Sequence, residues 1–306
     1  MRALLLSAVS ILCVCSAVAA PTTLTADQIM ARVAANQDRA EAARTRYIYQ
    51  QHIRMISRKT SGKVMCEEIT DSRVSPQQNG SQQQLLKLEG RHWQKGQYVH
   101  YATLQEHTDI EPKPEHNQAN SEKDDLEGMD IDLVEDLRKD LSDDKSKDGL
   151  GKGLFPLTTQ KQTEYVFKLE GRQTMNGRDV YHVSFHPKDK QDYNWKGEAF
   201  VDTHEFEPVV VYTELSRKLP LAVRTLLGTN LPGLGFSVTY ARQSDGVWFP
   251  VSFGTEFRLR VLFFIARDIS MSLENTHFEK THTDVKILDG VKVVENTSPP
   301  QAPAPH

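Results

Sequence analysis

The residues best suited by type to do chemistry are His182, Ser184 and His186, the cysteine at 66, and a crowd of carboxylates between residues 122 and 148. Successive side chains of an extended segment alternate faces, so His182, Ser184 and His186 project from one side of a strand. A serine nucleophile needs a base and an oxyanion donor around it, and zinc needs further converging ligands. The chain contains no H-E-x-x-H pair, no G-x-S-x-G elbow and no metal-spaced Cys/His set. These histidines therefore read as ordinary surface residues. Cys66 is the one cysteine outside the apolar leader that holds Cys13 and Cys15, so it has no intramolecular disulfide partner. It sits in an alternating segment, where a buried structural thiol is a better reading than a nucleophile.

The carboxylates are many but poorly placed for catalysis. Residues 122–148 hold twelve acidic and five basic side chains. Acid–base work needs fixed geometry, and a solvated acidic stretch does not supply it. Residues 144–149, DKSKDG, imitate the start of a calcium loop, but Phe155 stands where the bidentate Glu belongs. The overall formal charge of −4 argues against a nucleic-acid surface, which would be basic. The reading is of a protein that is not an enzyme, with no cofactor, no metal site and no nucleic-acid partner.

The elements that must position these residues are mostly strands. Residues 1–19 read as a secretory signal: Arg2, an apolar run over 3–14, and Ala17-Val18-Ala19 as an A-x-A cleavage site. Neither Cys13 nor Cys15 has a small residue before it, so the product is expected to be a non-lipidated periplasmic protein. Removing the leader leaves about 286 residues, enough for one large β domain. Thr25 and Gln28 form a T-x-x-Q capping box, with Leu24 and Ile29 as a hydrophobic staple. Ile29, Val33, Gln37 and Ala40 then give a helix with a thin apolar stripe, expected to lie against something rather than to form a core.

The period then changes to two. Tyr47, Tyr49, Ile53 and Met55 share one face, while Gln50, His52 and Arg54 share the other. Turns are predicted at Ser61-Gly62, Lys95-Gly96, Asn176-Gly177 and Asp245-Gly246, with a loop over 76–81. Within the acidic insertion at about 105–160, Ile131, Val134, Leu137 and Leu141 predict a short amphipathic helix in a solvated stretch. Strands are expected over 164–186 and 197–215, and the apolar, Pro- and Gly-interrupted segment 219–234 reads as a short helix and loop covering a cavity. The long strand 247–261 places Val247, Phe249, Val251, Phe253, Phe257 and Leu259 on one face and Glu256, Arg258 and Arg260 on the other. Residues 298–306 read as a Pro- and Ala-rich tail.

Three passages carry a resemblance. Gly177-Arg178-Asp179-Val180-Tyr181-His182-Val183-Ser184-Phe185-His186-Pro187 is one; Phe200-Val201-Asp202 followed by Glu207-Pro208-Val209 is another; Asp245-Gly246-Val247-Trp248-Phe249-Pro250 is the third. Together with the leading helix and the long alternating strands, they resemble the LolA/LolB-type lipoprotein-carrier superfamily. The resemblance covers the first helix and hairpin and residues 164–281, not the acidic insertion. It implies an α+β, mainly antiparallel β fold: an unclosed half β-barrel, one domain over 20–297, with an N-terminal helix and helical lid segments on its concave face. It further implies a non-enzymatic carrier holding acyl chains of a lipoprotein or another envelope lipid, with a membrane-protein donor or acceptor. Tyr47, Tyr49, Ile53, Met55, Val183, Phe185, Phe249, Phe253, Phe257 and Leu259 would line the lipid site, and Arg54 would tether the lid. The aromatic face can equally fill a closed core, which would suit an envelope interaction or sensor module that binds a protein.

Overall fold

A computed structural model describes residues 24–77, 80–104, 122–141, 155–189, 194–216, 234–261 and 265–281. The leader, residues 144–149, nearly all of segment 219–234 and the tail lie outside them. The described chain forms an eleven-stranded antiparallel sheet whose order is β4-β3-β2-β1-β11-β10-β9-β8-β7-β6-β5, with no pairing between β4 and β5. It is an unclosed half-barrel with an N-terminal helix.

Helix α1 (Ala26–Arg44) starts where its chemistry says it should. The Gln28 backbone N–H donates to the Thr25 hydroxyl at 3.2 Å, and the Thr25 N–H donates to the Gln28 side chain at 3.0 Å. Two orphan donors of the first turn are thereby satisfied. The apolar stripe does more than lean on the fold, contrary to expectation. Ile29, Met30 and Val33 are fully buried in the main core cluster, so a narrow stripe suffices when the sheet curls around it.

Strands β1 (Tyr47–Lys59), β2 (Val64–Gln77), β3 (Gly80–Gln94) and β4 (Gln97–Leu104) form a meander. β2 runs through Pro76, which pairs with Ser81, so the predicted 76–81 loop is largely strand. The second half of the sheet begins after two helices, α2 (Glu122–Leu141) and the single turn α3 (Thr159–Gln162). It comprises β5 (Tyr165–Met175), β6 (Arg178–Pro187), β7 (Trp195–Asp202), β8 (Pro208–Leu215) and β9 (Gly235–Arg242). β10 (Trp248–Val261) and β11 (Ile265–Lys280) return the chain to β1. Asn176 and Gly177 turn the β5–β6 hairpin with φ of 50° and 76°, the pair of left-handed residues that a two-residue hairpin turn needs.

Alternation decides which face is buried. Ile53, Met55 and Ser57 of β1 pair with Leu273, Met271 and Ile269 of β11, and all six are buried. Between them, Arg54 and Arg58 face the other way. Arg58 donates to Ser270, and Arg258 of β10 pairs with Asp268 at 2.6 Å. The sheet thus has an apolar concave face and a charged convex face, as an antiparallel sheet wet on one side requires.

Candidate functional site

The concave face is covered by helices whose attachment differs in kind. α1 reaches the β7–β8 connection and β10. Asn36 donates to the Glu205 and Phe206 carbonyls at 2.7 and 3.0 Å, and the Arg44 guanidinium donates to the Trp248 carbonyl at 2.8 Å. Gln37 donates to the Glu207 carboxylate at 2.6 Å and accepts from Arg44 at 3.1 Å. Burial pushes the Glu207 carboxyl up to about 7, against the lowering pull of Gln37 and Arg44. Its proton therefore sits in the physiological range, in a closed position under α1.

α2 lies over β1, β2 and β3. Val134 is fully buried in the main cluster, with Ile131 and Leu137 packed against it. The segment expected to be solvated thus contributes to the core, because the charges on its inner face meet opposite charges on the sheet. Asp130, buried, accepts from Arg267 through both oxygens at 2.7 and 2.8 Å and from the Ser57 hydroxyl at 2.6 Å. Arg138 of the same helix donates to the buried Glu68 at 2.7 Å, and Glu68 also accepts from Tyr101 at 3.1 Å. A Cβ at Gly90 would collide with the Tyr101 ring, so the glycine is what lets that ring lie across β3 and reach Glu68. Cys66 lies beside this group, 3.8 Å from the Tyr101 hydroxyl, and burial pushes its thiol up to about 12. It is a structural thiol.

Arg54, expected to tether the lid, faces away from the helices α1 and α2. It pairs with Glu67 of β2 at 2.5 Å on the convex face, away from α2. Burial raises the Glu67 carboxyl, but Arg54 and Arg91 outweigh that and hold it below the usual carboxylate range. The charged ties between α2 and the sheet are Arg267–Asp130 and Arg138–Glu68. Their signal was present in the sequence: Arg267 stands in phase with Ile269, Met271 and Leu273, a charge on the apolar face of a strand.

The expected lipid-contacting residues fall into three groups. Tyr47, Tyr49 and Phe249 belong to a separate closed cluster with Val74 and Phe278, ring centroids 4.7 to 6.2 Å apart. Register shifts set it apart, between Ile48 and Gln50 against β11 and between Pro250 and Ser252 against β9. Ile53, Met55, Val183, Phe185 and Phe253 lie in the main cluster with the buried residues of α1 and α2. Phe257 and Leu259 belong to neither cluster; they lie beyond the last β9–β10 pair, Gly254–Ser237, and are only half-buried.

At that end Phe257 and Leu259 are only half-buried. Where β9 and β10 part, a groove of about 560 Å³ is lined from both faces of the sheet, by Tyr212, Glu214, Ser237 and Glu256 as well as Phe236, Thr255 and Met271, next to the Phe236–Phe253 ring contact at 5.1 Å. The half-buried Phe257 and Leu259 that follow Thr255 along β10 were not separable from the filled core by periodicity alone, since all lie in phase on the same strand. The histidines stay apart. His182 stacks on Phe200 and lies 3.3 Å from Glu198, while His186 contacts the Pro187 carbonyl. Among the described residues no group of three or more His, Cys, Asp or Glu could hold a metal ion.

No protein-family model matches the chain, and no curated protein matches its sequence. Several solved structures are similar to it. A DUF1329 family protein from Desulfovibrio piger is 12% identical, over 87% of this chain and 96% of that one, with a TM-score of 0.36. A putative outer membrane lipoprotein-sorting protein domain from Vibrio parahaemolyticus is 13% identical, over 86% of this chain and 95% of that one, also at 0.36. A LolA superfamily protein from Nitrosomonas europaea is 12% identical, over 85% and 94%, at 0.33.

Proposed function

We propose that this chain is a non-enzymatic periplasmic carrier that holds acyl chains, of a lipoprotein or another envelope lipid, against the concave face of its half-barrel. The observation that carries the reading is the construction of that face. It is apolar, it is covered by helices separate from the sheet, and among the described residues Phe236, Phe257 and Leu259 at one end of it are only half-buried.

The way α2 is fastened fits a cover that exchanges. A buried ion pair returns to water with little net loss, because solvation of both charges offsets the lost attraction. Asp130–Arg267 and Arg138–Glu68 therefore orient the helix without locking it. Each acyl CH₂ that takes its place adds roughly 0.8 kcal/mol, so one chain suffices to offset the lost contacts of Val134 and its neighbours. A membrane-protein donor and acceptor would supply and receive the cargo. No helix among the described residues is long and apolar enough to cross a membrane.

One observation favours a second reading. Ile29, Met30, Val33, Met55 and Leu273 are at most 1% exposed, so the middle of the concave face is filled by the protein's own side chains. An envelope interaction or sensor module, binding a protein rather than a lipid, would be built that way.

A titration with a fluorescent fatty acid and with a triacylated lipopeptide separates the two. Phe257→Gln/Leu259→Gln alters only half-buried residues and should leave the melting curve near wild type while weakening acyl binding by tenfold or more (about 1.4 kcal/mol). Absence of saturable binding by the folded wild-type protein would remove the carrier reading.

A further inference from the structure

The C-terminal half of α1 rests on the connection between β7 and β8, and its ties there meet at one carboxyl group. Asn36 donates to the carbonyls of Glu205 and Phe206, and the Arg32 guanidinium lies 4.6 Å from the centroid of the Phe206 ring. One residue further on, the Gln37 amide is shared: its N–H donates to Glu207 at 2.6 Å, and its oxygen accepts from Arg44 at 3.1 Å. Arg44 also donates to the Trp248 carbonyl of β10. Gln37, Arg44 and Glu207 are all buried. Glu207 is thus tied to α1 through a neutral amide, while the Arg44 guanidinium is engaged on two other oxygens. The charges around the group leave that tie as it is. Arg44 and Arg39 of α1 favour the ionised form, and Glu205 of the connection opposes it. Arg242 of β9 pairs with Glu205, Arg178 of β6 pairs with Asp202, and His204 stands exposed on the connection. Burial outweighs the cations and pushes the Glu207 carboxyl up to about 7.

We infer that the seat of α1 on the β7–β8 connection is a proton-operated latch, closed while Glu207 is protonated and released when Glu207 ionises. A protonated carboxyl is content with the Gln37 amide in a buried place. A carboxylate there must reach either water or a direct cation. Water requires the connection to part from α1. Arg44 requires release of the Trp248 carbonyl and of Gln37. Either movement undoes the ties of the C-terminal half of α1, and a helix released from its packing frays, because isolated helices of this length are marginal in water. The free carboxyl titrates near its ordinary 4.5 and the seated one near 7. Opening therefore grows about tenfold per pH unit between those two values and levels off above the second. α1 is one of the two helices that cover the concave face, so the latch regulates access to that face whatever it binds.

Residue-resolved hydrogen exchange on the whole protein between about pH 5 and pH 8, corrected for the intrinsic pH dependence of exchange, tests it. In the wild type the amides of residues 37–44 should lose protection at least about tenfold as pH rises to about 7 and then level off. They should remain less protected than the amides of β1 and β11 throughout. Glu207→Gln should hold their protection nearly constant, and His204→Asn should leave the fall in place. On the wild type alone, the Glu207 carboxyl carbon followed by NMR should titrate well above the ordinary carboxylate range, which keeps the test intact if a variant folds poorly. A flat profile for residues 37–44 overturns the inference, as does a fall that persists in folded Glu207→Gln or vanishes in His204→Asn. So does exchange of α1 only in step with β1 and β11, or a Glu207 carboxyl that titrates at its ordinary value.

Discussion

At the scale of single residues, burial and partnership decide behaviour more than residue type. Glu207 binds its proton more tightly when folded, near 7, than the ordinary carboxyl near 4.5. Between those values the native state holds the extra proton, so this group's contribution is complete below about 4.5 and is lost as pH rises through about 7. Glu207→Gln should therefore remove a loss of stability on the order of 3 kcal/mol at most. The measurement is the difference between wild-type and Glu207→Gln denaturation midpoints at pH 5 and pH 8; an equal difference at both would contradict it. For Cys66 the expectation is that a thiol reagent reacts only on unfolding, at a rate that rises with denaturant at fixed pH. Arg54→Ala should cost less than about 1 kcal/mol, because it breaks a convex-face pair of which Arg91 still holds the carboxylate. Arg54 alternates with Ile53 and Met55, so its place on the wet face was legible in the sequence. The partner of Asp130 was not, because Arg267 stands 137 residues away and only the folded sheet brings the two together.

At the scale of elements, the hairpins were nearly all written in local chemistry. Asn176-Gly177, Lys95-Gly96 and Asp245-Gly246 turn where the alternation breaks, and β8 begins at Pro208 where its apolar run begins. α1 was equally plain from its capping box. The depth of α1 and α2 was not. A narrow apolar stripe and an acid-rich one both look solvated until a curved sheet wraps one and offers Arg267 and Glu68 to the charges of the other. α2 provides the sharpest element-level expectation. Asp130→Asn leaves Arg267 buried without its counter-charge and should destabilise by about 3–5 kcal/mol. Asp130→Leu with Arg267→Met should instead be near neutral in denaturant, and by fastening the helix with apolar contacts should slow lipid exchange. Faster exchange in that double variant would show that the ion pair is not what makes the cover release.

At the scale of the whole molecule, the half-barrel and its two-faced sheet were legible because period-two alternation runs through almost every strand. The division of the apolar face was not. Register shifts at Ile48/Gln50 and Pro250/Ser252 send Tyr47, Tyr49 and Phe249 into a closed cluster of their own, and a slip of register leaves no trace in hydrophobicity. The same division separates stability from function: Phe253→Ser should cost about 3–5 kcal/mol as a core truncation, whereas the half-buried Phe257 can be made polar in a folded protein. In the proposed function the concave face holds acyl chains. Native mass spectrometry of the protein purified from a membrane-containing host, followed by solvent extraction and lipid analysis, tests it most directly. A stoichiometric acyl-bearing ligand, diminished in folded Phe257→Gln/Leu259→Gln, is the expected result. A clean ligand-free mass, with no uptake of added lipid or lipopeptide, would contradict it and leave the protein-binding module in its place.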